Sequence, residues 1–411
     1  MRTVITNARL TDGRVVDIAV EGGRIQAVTP AADLRLEQLN GTDVVDVGGW
    51  LLLPPMAEPH AHLDKALTAE QVPNPGGDLF GAIEAWKAAA DAGVFTHDDM
   101  VSRIRTAIDK LLLSGVTAIR SHINCGSGAG IAHLVAAQEA VADYRGMVDI
   151  EFVALTHSPM VGDGSEPNRK ALIDAIELGV DLVGGCPHLE DDGAGSIAYD
   201  LWAAQSAGLP IDLHVDETLD PTVLTLRDLA RMVIDTGFEG RVAASHCVSL
   251  GMQSADDQAA IAREVAEAGI TVIPLPQTNL FLQGRAHSTA TPRGLTAIAA
   301  LREAGVLIAA GADNVQDPFN LVGRSDPLET AAMLVMAGHV LPDDAYRMVS
   351  NNVRRAMGLP VIRFEVGDPA DFVAIDAPSI RGAIADAPAD RKVFKAGRLV
   401  ASSSTTRTLN R

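Results

Sequence analysis

The chain reads as an α/β protein, a (β/α)8 TIM barrel with a composite β-sandwich domain formed by the two termini. Three observations predict this. Apolar β-type runs alternate with amphipathic helical runs through the middle of the chain. Histidines gather at the C-terminal ends of those runs. Both ends of the chain are rich in Val and Ile and punctuated by turn residues. Continuous apolar strands alternating with helices make a parallel sheet covered on both faces. Eight such units in ~300 residues suggest closure into a barrel, which typically takes ~250. An open doubly wound sheet is the competing architecture.

In chain order, residues 1–55 hold the strand-like runs TVITNARL, VVDIAVEGG, RIQAVTP and VVDVGGWLLL, separated by DGR, EGGR and GT. Val and Ile favour strands, and Gly, Asn and Asp supply the turns. The last fifty or so residues repeat the style in VGDPADFVAID and RKVFKAGRLVA. Segments 1–55 and 361–411 are therefore expected to form one β domain, with 56–360 as the barrel. The barrel β runs are the stretch before His60, then GVTAIRSHI, VDIEFVALTH, DLVGGCPH, PIDLHVDE, RVAASHC, ITVIPLP and VLIAAGAD. Helical patterns such as DDMVSRIRTAIDKLLLS, NRKALIDAIEL and DDQAAIAREVAEA lie between them. Residues 66–95 form the longest irregular connection, with PNPGGD and then a helical FGAIEAWK. Long loops in compact domains are commonly functional, so this one is a candidate lid.

The 411 residues carry 47% hydrophobic and 21% charged side chains, enough for a large core. A net charge of −20 argues against nucleic acid, whose phosphates it would repel. Neutral or cationic small molecules are permitted. The same charge also keeps a protein in solution, which accounts for most of it. Cys125, Cys186 and Cys247 are isolated, with no CxxC, so neither a disulfide framework nor a zinc knuckle is supported. The N-terminus lacks the pattern of a signal peptide. No apolar run reaches ~18 residues, so no membrane span is expected and a reducing cytoplasm fits best.

Seven of the 11 histidines fall at predicted strand ends: His60, His62, His122, His157, His188, His214 and His246. Barrel active sites are built at that face, from the ends of several strands. His60 and His62 are two apart, so on an extended strand both point to one side and can chelate a metal. His214 ends the fifth barrel strand. Asp313, in GADN, ends the eighth. Together they offer a mixed N/O site with a position left for water, as catalytic zinc sites require. His97, His133, His287 and His339 lie in helices or loops and read as structural or solvated.

On these residues the sequence resembles the amidohydrolase superfamily. The matching pieces are His60 and His62 after strand one, His214 on strand five, His246 on strand six, Asp313 on strand eight, and the β-rich ends. Within it, EPHAHLDK, PHLE, HVDE, SHC and the DPF after GADNVQ are similar to the cytosine deaminase branch. The resemblance implies one divalent metal, zinc or iron, held by His60, His62, His214 and Asp313. It implies that His246 hydrogen-bonds the attacking water and that Glu217 of HVDE shuttles protons to the substrate ring. If the strand runs on through HVDE, Glu217 faces away from His214; a turn after Val215 would bring it inward. Two-metal members of the superfamily place a carboxylated lysine at the end of strand four. Here that strand ends GGCPH, which favours a mononuclear site.

Substrate contacts are expected from His157, Lys65, His188 and Phe319. Members that read cytosine use an amide at the end of strand three, where this chain has LTHSPM with His157. That departure puts cytosine itself in doubt. Lys65 either touches substrate or pairs with a carboxylate. His188 and Glu190 make an HxE, but the other zinc deaminase signature also needs PCxxC, which is missing. His122 is expected to orient ligands, and Asp64 to brace the turn after strand one. GSGAG at 126–130 lacks phosphate-loop spacing and reads as a βα loop. The implied activity is hydrolytic deamination of a small aminated heterocycle, with ammonia released. The alternatives are release of an alkylamine from a triazine-like ring, opening of a cyclic amide, or an inert barrel serving in assembly. Partners beyond the heterocyclic substrate are not indicated. Oligomeric relatives make a homo-oligomer compatible with the resemblance, though no stretch marks an interface.

Overall fold

The Val- and Ile-rich N-terminal end forms β1 (Arg2–Arg9), β2 (Val15–Glu21), β3 (Arg24–Pro30), β4 (Asp43–Asp46) and β5 (Leu51–Leu53). The coordinates are a computed structural model and describe residues 2–31 and 42–410. Seven barrel strands follow. They are β6 (Met56–Ala61), β7 (Val116–Cys125), β8 (Asp149–Thr156), β9 (Leu182–Gly184), β10 (Ile211–Val215), β11 (Val242–His246) and β12 (Thr271–Ile273). They lie side by side in sequence order, every neighbouring pair parallel.

The eighth β run, VLIAAGAD, closes the ring only through two parallel bridges, Val272 with Ile308 and Ala61 with Asp313. The reason lies in where its backbone bonds go. Val272 N–H donates to Leu307 O and Ala309 N–H to Val272 O, as a ladder requires. Beyond that point Ala310 N–H turns to Met348 O, and Ala312 N–H donates to the Glu58 carboxylate at 2.9 Å. A buried side chain thus takes the place of a neighbouring strand. The barrel fold is borne out with one irregular stave.

The C-terminal strands β13 (Phe372–Ile375), β14 (Arg391–Lys395) and β15 (Arg398–Ser403) join the N-terminal ones in a single sheet, ordered β15-β14-β13-β5-β1-β2-β3 with β4 branching from β1. β13 pairs with β5 antiparallel, which knits the two ends of the chain together. Side chains alternate across a strand. Leu51, Leu53, Val373, Ile375 and Val393 pack into the barrel-side core, while Leu52, Phe372, Ala374 and Phe394 fill a second core with Ile5, Ile18 and Val20. Burial on both faces is why these short strands read as unbroken apolar runs.

Helices cover the outside of the barrel. α1 (Leu79–Asp91) and α2 (His97–Leu113) follow β6, and Asp78 caps α1 by accepting from Gly81 N–H. The expected helix at FGAIEAWK is therefore the core of α1. No helix among the described residues is long and apolar enough to cross a membrane.

Candidate active site

The strand ends bring His60, His62, His214 and Asp313 to one point at the C-terminal mouth of the barrel. All four are at most 5% exposed. His60 Nε2 and His62 Nε2 lie 3.1 and 3.2 Å from His214 Nε2. Asp313 Oδ1 is 3.1 Å from His62 Nε2 and 3.6 Å from His60 Nε2. His246 joins from β11, its ring centroid 5.1 Å from that of His214. Asp313 and His246 both sit at left-handed φ, 65° and 68°. Such outliers cluster where a side chain must be aimed against backbone preference.

This donor set fits a divalent cation. Burial, then the neighbouring imidazoles, hold His60 and His214 well below the ordinary histidine range; burial and then Lys65 do the same to His62. All three are neutral rings with lone pairs to give. Both Asp313 oxygens are buried without a hydrogen-bond donor, and burial pushes that carboxyl well above its usual range. A buried carboxylate among neutral imidazoles is unfavourable unless a positive charge joins them.

Partners behind the cluster fix the tautomer of His60. His60 Nδ1–H donates to Ser245 Oγ at 2.8 Å, and Ser245 O–H donates to Asp212 Oδ1 at 3.0 Å. Arg120 Nη1–H holds the other Asp212 oxygen at 2.8 Å. His60 therefore points a bare Nε2 at the cluster, as a ligand must. A second grouping of His60, His122 and Asp212 also has metal-like spacing. There Asp212 is already committed to Arg120 and Ser245, so it orients rather than binds. His122 lies against His60, ring centroids 3.9 Å apart and planes tilted by 33°. Glu58 accepts from His60 N–H at 3.1 Å and Ala312 N–H at 2.9 Å, tying the first and last staves together.

Glu217 points into the cleft. β10 ends at Val215, and Asp216 turns the chain at φ 52°, the inward of the two routes open in the sequence. Asp216 is held there by Thr225, whose N–H and hydroxyl each donate to Oδ1 at 2.7 Å. Burial pushes the Glu217 carboxyl up to about 8, with Lys65 pulling the other way. Glu217 Oε1 lies 3.5 Å from His246 Nδ1. His246 Nδ1 also faces Asn279 Oδ1 at 3.0 Å, so it carries the proton and leaves Nε2 bare and unpartnered. Burial holds His246 down to about 3, against the opposing pull of that Asn279 bond.

The cleft in front has a volume of about 150 Å³ and is open to solvent. Of the expected substrate contacts, Lys65, His157 and Phe319 line it, and His188 does not. His188 sits behind the metal cluster, its Nδ1–H on His214 O at 3.0 Å. Glu190 accepts from Met160 N–H, and Asp64 accepts from Asn124 N–H and His133, bracing the turn after strand one. Leu79, Ile83 and Trp86 of α1 form one wall of the cleft, so the 66–95 connection lies over the site. Sequence reasoning missed Asn124, Ser245 and Asn279. Asn124 and Ser245 are small polar residues near the ends of barrel strands, a position that was the available signal, whereas Asn279 lies in the helix Pro276–Leu282 after β12.

Comparison with known proteins shows what the chain as a whole is similar to. The pattern of the family described as "Amidohydrolase family" matches residues 94–401. Pterin deaminase from Rhizobium rhizogenes is 33% identical over 390 residues, covering 93% of this chain and 87% of that protein. 5-Methylcytosine deaminase from Klebsiella pneumoniae, solved with 5-fluorocytosine, superposes with a TM-score of 0.88 at 27% identity, covering 100% of this chain and 99% of that one. N-isopropylammelide isopropylaminohydrolase from Burkholderia multivorans superposes with a TM-score of 0.83 at 26% identity, covering 98% of each chain.

Proposed function

The chain belongs to the amidohydrolase family, and from that premise we propose that it hydrolyses the amino group from a small nitrogen heterocycle, releasing ammonia. The observation that carries this reading is Glu217: a carboxyl raised to about 8, set in a cleft beside His246 and three residues from His214. A generic metal hydrolase has less need of it. An aromatic ring resists attack unless a ring nitrogen gains a proton as the carbon becomes tetrahedral.

His60, His62, His214 and Asp313 would hold one zinc or iron ion, which as a Lewis acid supplies a nucleophilic water at neutral pH. Glu217 is protonated at neutral pH and delivers that proton to the ring nitrogen beside the carbon under attack. His246 accepts from the attacking water at its bare Nε2, and the Asp313 carboxylate shares the transferred proton. The proton taken from the water then passes to the amino group, which leaves as ammonia, while Glu217, now a carboxylate, takes the remaining hydroxyl proton and an oxo ring is left. Trp86 and Phe319 give the ring apolar walls, and His157 also lines the cleft. That space suits a fused bicycle, and with the pterin deaminase likeness it makes 2-amino-4-oxopteridine the first ring to try, ahead of cytosine.

A second reading keeps the site and changes the leaving group. The likeness to the isopropylaminohydrolase favours it, since the same proton delivery would expel an alkylamine from a triazine-like ring. A panel of aminated pteridines, pyrimidines and N-alkyl triazines, scored for ammonia and for alkylamine, tests both. Ammonia from the first two classes is expected; alkylamine alone would select the second reading.

A further inference from the structure

We infer that Asn124 and Lys65 form a fork of hydrogen-bond donors that selects rings carrying an oxo oxygen, with a second acceptor beside it, on the edge next to the amino-bearing carbon. The inference rests on the proposed ring substrate and adds which ring edge is read.

Asn124 lies at the end of β7, lines the cleft, and is 5% exposed. Its backbone is pinned by the N–H bond to Asp64 Oδ2 at 3.2 Å. Lys65 Nζ donates to Asn124 Oδ1 at 2.9 Å. An ammonium has donors only, so the amide oxygen must face it and the amide nitrogen must face the other way. Among the described residues Asn124 Nδ2 has no hydrogen-bond partner, and it is not one of the sealed, unpaired atoms of the interior. It is a donor presented to the cleft with nothing to receive it.

Lys65 adds to it. Its Nζ gives one of three N–H bonds to Asn124 Oδ1 and lies 3.0 Å from His62 Nδ1, which leaves N–H to turn to the cleft. The same Nζ lies 5.9 and 5.8 Å from the ring centres of Trp86 and Phe319, so the fork sits between aromatic walls suited to a flat ligand. Because Lys65 touches a residue of the metal cluster, a ring that offers its amino carbon to the cluster and Glu217 brings its neighbouring edge to the fork. Two acceptors there are held. An amino group there sets N–H against N–H and leaves buried donors unpaired, the situation in which sites discriminate most strongly.

The test compares binding of 2-amino-4-oxopteridine and 2,4-diaminopteridine, read by ring fluorescence on metal-replete protein. Glu217→Gln is the background, so that turnover does not consume ligand. The expected ratio favours the oxo ring by ~10-fold or more. Adding Asn124→Asp keeps an oxygen for Lys65 and swaps the free donor for an acceptor, so the ratio should fall to ~1 or reverse. Adding Asn124→Ala should lower it through weaker oxo-ring binding alone. Metal content and near-UV circular dichroism identify folded variants. An oxo preference absent in the background, or unchanged within about twofold in a folded variant, overturns the fork. Ammonia is not read here, so failure to deaminate would count against the reaction proposed above, while the ring ratios judge the fork.

Discussion

Glu217 reaches the cleft because the chain leaves its strand at Val215 and turns left-handed at Asp216, whose carboxylate is then locked by Thr225. The group so placed is the proton donor of the proposed reaction. Glu217→Gln should keep metal, fold and ring binding and lose at least ~10²-fold in turnover, the usual cost of one positioned acid. Turnover within about threefold of wild type, on a ring the protein deaminates, would move the proton to another residue. Ser245 carries a different prediction. It relays His60 to Asp212, so Ser245→Ala should free the ring and loosen the metal ~10- to 100-fold in chelator competition, with little change in folding. Unchanged affinity would mean Asp212 and Ser245 only fill space. At this scale the ligand residues were legible, because an HxH and an Asp at strand ends carry their geometry in their spacing. Ser245, Asn279 and Asn124 were not, since a lone Ser or Asn gains its meaning from partners 33 to 185 residues away.

The least regular element is the eighth stave, and its irregularity serves the site. Ala312 N–H leaves the ladder for Glu58, which also holds His60 N–H, so one buried carboxyl sets the spacing between first and last ligands. Gly311 makes room for it: a Cβ there would lie 2.2 Å from Glu58 Oε1 and 3.1 Å from the Pro59 ring. Gly311→Ala should therefore destabilise the fold by about 1–3 kcal/mol, the range for overpacking, and weaken metal binding as well. A lower thermal midpoint together with a lower metal content checks this; full stability with full metal would refute the packing argument. From the sequence VLIAAGAD reads as an ordinary apolar strand. Nothing local reveals that a side chain 254 residues earlier replaces its neighbour's backbone. The first helix, α1, was legible in the run FGAIEAWK, while its place over the cleft depended on the whole barrel.

Across the whole molecule, the two ends of the chain pack on the barrel through a sheet whose central strands are buried on both faces. Leu51 and Leu53 face one core and Leu52 the other. This was readable as β-rich ends around an alternating middle, because strand period and turn chemistry are local. The clamps between sheet and barrel were not readable. Arg391 bonds Asp326 and Ser114 O, and Lys395 joins Asp149 to Asp371, all across long sequence separations. The barrel in turn holds, at one mouth, a cluster of buried imidazoles, an unpartnered Asp313 carboxyl and the raised Glu217 carboxyl, the groups to which the proposed reaction assigns the addition of water and the loss of an amine. The most direct measurement is transfer of solvent oxygen: metal-replete protein turned over with 2-amino-4-oxopteridine in ¹⁸O-water. The account predicts one labelled oxygen at the former amino carbon, one ammonia per product, and loss of both when the metal is stripped. Binding of the ring with metal present, but with neither label nor ammonia appearing from any aminated heterocycle, would contradict it.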